Sequence, residues 1–236
     1  MIHGPGIAKR HEGCTFENFI AVADNRAALK ACKALAEGKS GGVILIGPVG
    51  RGKTHLLAAL TKAFEARLSP SKSATDSEPE AVEQLPSLRE LIDQYADDAN
   101  ACSEPPMLDP HEMAREPRIE FWTMLDLVAE LRREMKGDNL VISNRCRKCD
   151  LLILDDFGQE RMTDFVLEEL ERIIDWRYRN MLPIAVSTNL SVDQLAMPDK
   201  YGERSISRWA ESCDIVRVGG PDRRTMKGGK SATKEA

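Results

Sequence analysis

The stretch GPVGRGKT at 47–54 constrains the fold of this chain more than any other part of the sequence. It fits the pattern G-x-x-x-x-G-K-[ST], follows the apolar run GGVILIG at 41–47, and precedes a segment with apolar residues at helical spacing. Glycines let backbone N–H groups curl around phosphates, and a helix start adds its dipole. The stretch therefore predicts a strand, a phosphate-binding loop and a helix, with Lys53 on the β- and γ-phosphates and Thr54 on Mg²⁺.

Short apolar strands alternate with helical segments along the rest of the chain. Strands are predicted at 41–47, 118–123, 151–156, 182–189 and 214–218, and helices at 25–37, 54–68, 125–135 and 163–179. Strands separated by helices form parallel βαβ units with right-handed crossovers. The pattern therefore predicts an α/β domain with a parallel sheet that helices cover on both faces.

Polar residues at the ends of two predicted strands supply further parts of a nucleotide site. LLILDD ends in Asp155 and Asp156, and AVSTN ends in Asn189. Asp155 is expected to face Mg²⁺, and Asp156 to polarise a water, although it could instead cap the following loop. Asn189 is expected to contact the γ-phosphate or the attacking water, the alternative being an ordinary turn residue.

Five segments together resemble the AAA+ ATPases, and within them the DnaC/DnaI-type helicase loaders and the IstB-type transposition helper ATPases. They are GIAKRHEGCTFENF (6–19), LIGPVGRGKTHLLAAL (45–60), CDLLILDDFGQERMTDFVLEELERIIDWRY (149–178), IAVSTNLS (184–191) and ERSISRW (203–209). The resemblance implies a P-loop NTPase (AAA+) domain with a five-stranded parallel sheet in the order 5-1-4-3-2. No substantial C-terminal lid is expected, because the eighteen residues after 218 are too few and too polar for a helical bundle.

The resemblance also implies roles for several residues. Asn189 matches the sensor position, and Arg208 matches the arginine that reaches into the ATP site of a neighbouring copy, with Arg204 as a second candidate. The residues alone leave another interpretation open for Arg208, an intramolecular salt bridge to an acid such as Glu203 or Glu211.

One further residue of the predicted nucleotide site comes from the C-terminal part of the predicted domain. Arg224, in GGPDRR, resembles an arginine that faces the phosphates of its own subunit. The predicted nucleotide-binding residues are Gly47, Pro48, Val49, Gly50, Arg51, Gly52, Lys53, Thr54, His55 and Arg224, and the predicted Mg²⁺ ligands are Thr54 and Asp155.

The charge is unevenly distributed, which bears on domain organisation. The net charge is −5, but eleven acidic residues and one basic residue lie between 76 and 112, which leaves 32 basic against 27 acidic residues elsewhere. We predict an N-terminal linker (1–24), an ATPase domain (25–224) with an acidic Pro/Ser-rich insertion (69–116), and a disordered tail (225–236). The insertion could be a docking segment or a tolerated surface insertion. No run of eighteen apolar residues occurs, so a cytoplasmic protein without a membrane partner is expected.

The cysteines are expected to be thiols or metal ligands rather than disulfides. Cys32 is expected to fill the core. Cys146 and Cys149 form a C-x-x-C pair, which would need two more ligands to bind zinc, and Cys102 and His111 are the nearest candidates. A plain thiol pair is the alternative.

Two basic clusters flank one predicted helix-loop element. They consist of Arg132, Arg133 and Lys136, and of Arg145, Arg147 and Lys148. In the resembling ATPases this region lines the DNA path, so contact with DNA phosphates is one interpretation and a solvated charged surface is the other.

Three functional interpretations follow. The first is a Mg-dependent ATPase that assembles into an ATP-dependent oligomer on single-stranded DNA and acts on a replicative helicase. The second is a transposition helper that binds DNA and recruits a transposase. The third is a DNA-binding module that uses ATP as a switch with little turnover.

Overall fold

A computed structural model describes residues 2–69, 118–135, 140–158, 163–197 and 202–223, with the backbone alone at 202–205. Residues 70–116 of the predicted insertion, the predicted tail, Lys136 and Arg224 lie outside these ranges. No helix in the described part of the chain is long and apolar enough to cross a membrane.

The described chain forms a parallel sheet with six strands. They are β1 (Ile2–His3), β2 (Gly42–Ile46), β3 (Ile119–Thr123), β4 (Leu151–Phe157), β5 (Ile184–Thr188) and β6 (Asp214–Arg217). The spatial order is β1-β3-β4-β5-β2-β6, and all neighbouring strands are parallel. β2, β4 and β5, which are buried over nearly all their length, lie inside the sheet, as expected for apolar runs covered on both faces.

The predicted strand order is confirmed for the five predicted strands and is incomplete at one edge. β6, β2, β5, β4 and β3 follow one another in the order expected from the resemblance. The sixth strand, β1, was not predicted, and it pairs with β3 through Ile2 and His3. Two residues carry no periodicity, so the sequence pattern gives no signal for such a strand.

Helices cover both faces of the sheet. They are α1 (Arg26–Ala36), α2 (Lys53–Leu68), α3 (Met124–Glu134), α4 (Val141–Lys148), α5 (Asp164–Arg179), α6 (Val192–Leu195) and α7 (Gly202–Ser212). One core lies between the sheet and the α1–α2 layer, and the other lies between the opposite face and the layer of α3, α4, α5 and α7. Cys32 is fully buried in the first core, as predicted, and burial raises the pKa of its thiol to about 12.

Residues 2–24 are part of the folded domain, which corrects the interpretation of 1–24 as a linker. Besides β1, they contain a 3-10 helix at Lys9–His11, and a second 3-10 helix covers Ala23–Asn25. Phe16 and Phe19 pack into the core on the α1–α2 face. Burying two phenylalanine side chains is worth roughly 3 to 6 kcal/mol, which holds this segment against the domain.

Candidate nucleotide site

The glycine-rich loop lies where the sequence predicts it, between the end of β2 and the start of α2. Gly50 has φ +79° and Gly52 has φ +94°, which are left-handed conformations that favour glycine. A Cβ on Gly52 would also lie 3.1 Å from the Phe19 ring and 3.2 Å from the Arg223 guanidinium. The loop is therefore tightly enclosed, and its two inner glycines are required by its backbone path.

Lys53 connects the loop to the end of β5. Its Nζ donates hydrogen bonds to the carbonyl oxygens of Gly47 (2.6 Å) and Pro48 (3.0 Å), and to Oδ1 of Asn189 (2.6 Å). The lysine is only 5% exposed, so its charge is satisfied by acceptors of the site itself. Lys53 and Asn189, 136 residues apart in the chain, thus meet at one edge of the sheet.

Asp155 and Thr54 form the second contact between predicted site residues. Thr54 Oγ1 donates to Asp155 Oδ1 at 3.2 Å, and Ser187 Oγ donates to the same oxygen. Burial raises the pKa of the Asp155 carboxyl, while the hydrogen bonds from Ser187 and Thr54 oppose that shift. A hydroxyl and a carboxylate are the oxygen donors that Mg²⁺ prefers, so Thr54 and Asp155 fit the predicted metal ligands.

Asp156 is exposed at the site edge because β4 is irregular there. The pairing of β4 with β5 is regular up to Leu154 and shifts before Phe157, and Asp156 has φ +57°. Its backbone N–H donates to Ser187 Oγ at 3.0 Å. A bulge with a left-handed non-glycine residue is a costly conformation that is common next to active sites. Here it places two consecutive carboxylates differently, with Asp155 buried and Asp156 exposed.

Ser187 is a residue that the sequence analysis missed. Its hydroxyl donates to the Asp155 carboxylate and accepts the Asp156 N–H, so it fixes both acids from the neighbouring strand. The available signal was a pair of hydroxyl residues, Ser187 and Thr188, at the end of an otherwise apolar strand that leads to Asn189. Thr188 donates to the carbonyl oxygen of Phe157 at 2.7 Å and so closes the same bulge.

The remaining loop residues face different surroundings. Val49 is 48% exposed. The Arg51 guanidinium donates to the carbonyl oxygen of Gly220. The Nε2 atom of His55 lies 2.9 Å from the carbonyl oxygen of Thr15, and its ring packs edge-on against Phe19. The contacts of His55 therefore join α2 to the N-terminal segment.

Arg223, which was not predicted as a site residue, lies beside the loop. Its backbone N–H donates to the Gly50 carbonyl oxygen at 3.0 Å, and its guanidinium carbon lies 4.0 Å from the centre of the Phe19 ring. The predicted residue, Arg224, is outside the described residues. Two consecutive arginines follow the last strand, and the sequence alone gave no reason to select the first.

The Arg208 side chain contacts α5 of the same subunit. Its Nη1 is 2.5 Å from Oδ1 of Asp175, which is an intramolecular salt bridge of the kind that the alternative interpretation expected, with Asp175 rather than Glu211 as the acid. Glu211 accepts a hydrogen bond from the Tyr178 hydroxyl at 2.6 Å instead. The side chains of Glu203 and of Arg204, the second candidate, lie outside the described part.

The two basic clusters have different environments. Arg132 and Arg133 are exposed on α3, where Arg133 pairs with Glu130. Arg145 makes two hydrogen bonds to Glu120, which is 2% exposed, and Arg147 pairs with Glu169, which is 1% exposed. Since each of these two arginines balances a buried carboxylate, their first role is structural. Lys148 is exposed at the end of α4.

Cys146 and Cys149 are buried together with an arginine. The Arg177 guanidinium donates to the carbonyl oxygens of Cys146 (2.9 Å) and Cys149 (3.0 Å) and to Cys149 Sγ (3.2 Å). Burial raises the pKa of both thiols. Among the described residues no group of three or more His, Cys, Asp and Glu could hold a metal, and Cys102 and His111 lie outside them. A cation beside the thiols favours the plain thiol pair over zinc.

Comparison with known protein families finds similar proteins for part of the chain. The family model described as the bacterial DnaA ATPase domain matches residues 10–78, which contain the phosphate-binding loop. The phage-like element PBSX protein XkdC of Bacillus subtilis (strain 168) is 34% identical over 75 residues. That match covers 28% of this chain and 28% of XkdC, so the chain spans little more than a quarter of that relative.

Solved structures share the fold over most of the chain. A crystal structure of the DnaC helicase loader has a TM-score of 0.61 at 20% identity and covers 90% of this chain and 100% of that chain. The replication initiator DnaA bound to AMPPCP and single-stranded DNA has a TM-score of 0.58 at 19% identity and covers 97% of this chain and 58% of that chain. The chain therefore shares the fold of these solved structures, and its parallel sheet with helices on both faces agrees with the predicted α/β class.

Proposed function

We propose that this chain is a Mg-dependent AAA+ ATPase of DNA replication, which assembles on single-stranded DNA and acts on a replicative helicase. The observation that carries the ATPase part is the convergence of four side chains on one edge of the sheet. Lys53 contacts Asn189, and Thr54 contacts Asp155, although the two members of each pair are more than 100 residues apart. Such a set has the parts that phosphoryl transfer requires.

The resting contacts of Lys53 suggest how nucleotide would be recognised. The ammonium donates hydrogen bonds to neutral oxygens of Gly47, Pro48 and Asn189. A phosphate oxygen carries charge and would make a stronger, charge-assisted hydrogen bond. We therefore expect Lys53 to leave Asn189 when ATP binds, which frees the Asn189 amide to orient the attacking water or the γ-phosphate.

Asp155 and Asp156 would have different roles in hydrolysis. Thr54 and Asp155 would hold Mg²⁺, which when bound neutralises charge on the phosphates. Asp156, exposed beside them, would accept a proton from the attacking water. Ser187 would keep both acids in place through its two hydrogen bonds. Arg208 of a neighbouring copy would neutralise the charge that develops on the transferred phosphoryl group.

The helicase and DNA parts of the proposal rest on similarity. The DnaC helicase loader and the DnaA complex with single-stranded DNA share the fold. The exposed Arg132 and Arg133 on α3 supply cations that could contact phosphates. The alternative transposition and switch interpretations predict different partners or turnover, and one set of assays distinguishes them.

The test is steady-state ATP hydrolysis by the chain with single-stranded DNA, duplex DNA and the host's replicative helicase. We expect single-stranded DNA and the helicase to stimulate hydrolysis. Asp156→Asn should reduce the stimulated rate by about 10² to 10⁴ while nucleotide affinity is little changed, because a general base acts only in the reaction. Stimulation by duplex DNA and a transposase would favour the transposition interpretation. Negligible turnover under every condition would contradict the proposed ATPase.

A further inference from the structure

The predicted inter-subunit arginine is held inside its own subunit, at the seam between α5 and α7. Arg208 is 20% exposed and Asp175, its partner at 2.5 Å, is 14% exposed. The Arg208 guanidinium carbon also lies 5.8 Å from the centre of the Tyr178 ring. Arg208 is thus directed toward α5, and it must leave Asp175 before it can contact a nucleotide outside the subunit.

Asp175 has a second partner that makes this departure feasible. Its other carboxylate oxygen contacts Nη2 of Arg179, one turn further along α5, and the Arg179 side chain is 72% exposed. Removing one partner of a largely buried charge is costly when the other is left alone. With Arg179 in place, Asp175 remains paired after Arg208 leaves, so the cost of the exchange is reduced.

The seam has another contact that does not involve Arg208. The Tyr178 hydroxyl donates to Glu211 Oε2 at 2.6 Å and joins the same two helices. Around it, Trp209 on α7 is 2% exposed and packs 4.9 Å from the Phe157 ring, measured between ring centres. The helices can therefore stay packed while the Arg208 side chain changes partner.

We propose that Asp175 is a positioning residue that retains Arg208 in the unassembled subunit, and that Arg208 exchanges this carboxylate for the phosphates of a neighbour's ATP on assembly. This inference rests on the proposed function. A triphosphate carries more negative charge than one carboxylate, so it attracts a guanidinium more strongly, and it also accepts bidentate hydrogen bonds from it. The exchange is favourable when a loaded neighbour is present, and the salt bridge that must first break raises the protein concentration at which assembly activates hydrolysis.

The test compares the protein concentrations at which DNA-stimulated ATP hydrolysis is half-maximal in the full chain. Asp175→Asn removes the retaining charge, so we expect half-maximal activity at a several-fold lower concentration, with the same maximal rate. Arg179→Ala removes the second partner of Asp175, so Arg208 should be held more strongly. We expect half-maximal activity at a several-fold higher protein concentration. Glu211→Gln is the matched control at the same seam and should leave the half-maximal protein concentration unchanged. Arg179 is exposed, so its variant keeps the test available if Asp175→Asn folds poorly.

The outcomes separate this inference from the proposed function. A purely structural salt bridge would lower thermal stability in Asp175→Asn without moving the half-maximal concentration, which would overturn the inference. A lost maximal rate in Asp175→Asn would also overturn it, because Asp175 would then be needed in the assembled state. If the unmodified chain hydrolyses ATP at a rate per subunit that does not depend on its concentration, assembly-dependent hydrolysis fails, and the inference fails with it.

Discussion

Asp155 combines two conflicting requirements at the residue scale. A metal ligand must be ionised, yet this carboxyl is 4% exposed, and burial raises its pKa. Ser187 and Thr54 stabilise the ionised form in part, because both donate to the same oxygen. Bound Mg²⁺ would supply the missing opposite charge. In its absence, we expect the ionised carboxylate to lower the stability of the folded protein.

This conflict predicts a pH-dependent stability effect. Since the folded-state pKa of Asp155 is raised, its contribution to stability is present below the ordinary pKa and is lost as pH rises through the folded-state pKa. Without Mg²⁺ and nucleotide, Asp155→Asn should therefore have a higher free energy of unfolding than the unmodified chain at pH 7. The difference should shrink as the pH falls below the folded-state pKa. Urea denaturation at several pH values measures it.

The exposed Asp193 on α6 provides a matched control for that measurement. Asp193→Asn removes one carboxylate without changing a buried site and should not show the same dependence on pH. A variant Asp155→Asn that is less stable than the unmodified chain at pH 7 would contradict the account. It would mean that the hydrogen bonds to the carboxylate outweigh the cost of its burial.

At the scale of secondary structure, the sequence predicted the elements that carry strong periodicity. The predicted strand at 151–156 and the observed β4 (Leu151–Phe157) differ by one residue, and the helix predicted at 25–37 is observed at Arg26–Ala36. The bulge at Asp156 depends on cross-strand hydrogen bonds, in which Ser187 accepts from the Asp156 N–H and Thr188 donates to the Phe157 carbonyl oxygen, and no local sequence pattern contains them. The same reason explains why β1 was missed, since its pairing with β3 joins residues far apart in sequence.

The two basic clusters show a similar limit. From the sequence alone, Arg145 and Arg147 are as good candidates for contact with DNA phosphates as Arg132 and Arg133. Only tertiary packing reveals that the first two pair with buried carboxylates. The proposed DNA surface is therefore smaller than the sequence suggested, and among the described residues it centres on α3.

The two exposed arginines of α3 lead to a specific prediction about DNA binding. Replacing both Arg132 and Arg133 with alanine should reduce the slope of log affinity for single-stranded DNA against log salt concentration by about 1.4, since each phosphate contact contributes about 0.7. Fluorescence anisotropy across a salt series measures the slope. Arg26→Ala/Lys30→Ala removes two exposed charges from α1, on the other face of the sheet, and should keep the original slope. An equal reduction of this slope in both double variants would contradict a specific DNA contact on α3 and would indicate a general effect of the protein's charge.

For the whole molecule, the central claim is that hydrolysis requires residues from two copies. One subunit supplies Lys53, Thr54, Asp155 and Asn189 at a single edge of its sheet. Its own Arg208 is paired with Asp175 at the α5–α7 seam and makes none of the contacts at that edge. An arginine supplied by a neighbour typically accelerates phosphoryl transfer by about 10³ to 10⁵, so an isolated subunit should hydrolyse ATP slowly.

The most direct test mixes two inactive variants. Asp156→Asn lacks the proposed base but keeps Arg208, whereas Arg208→Ala keeps the base and lacks the arginine, so each alone should show little DNA-stimulated hydrolysis. In an equal mixture, about a quarter of the head-to-tail interfaces combine an intact site with an intact arginine. The account predicts recovery of about a quarter of the unmodified activity on that basis. A mixture as inactive as the two separate variants, with both folded and able to bind ATP, would contradict it.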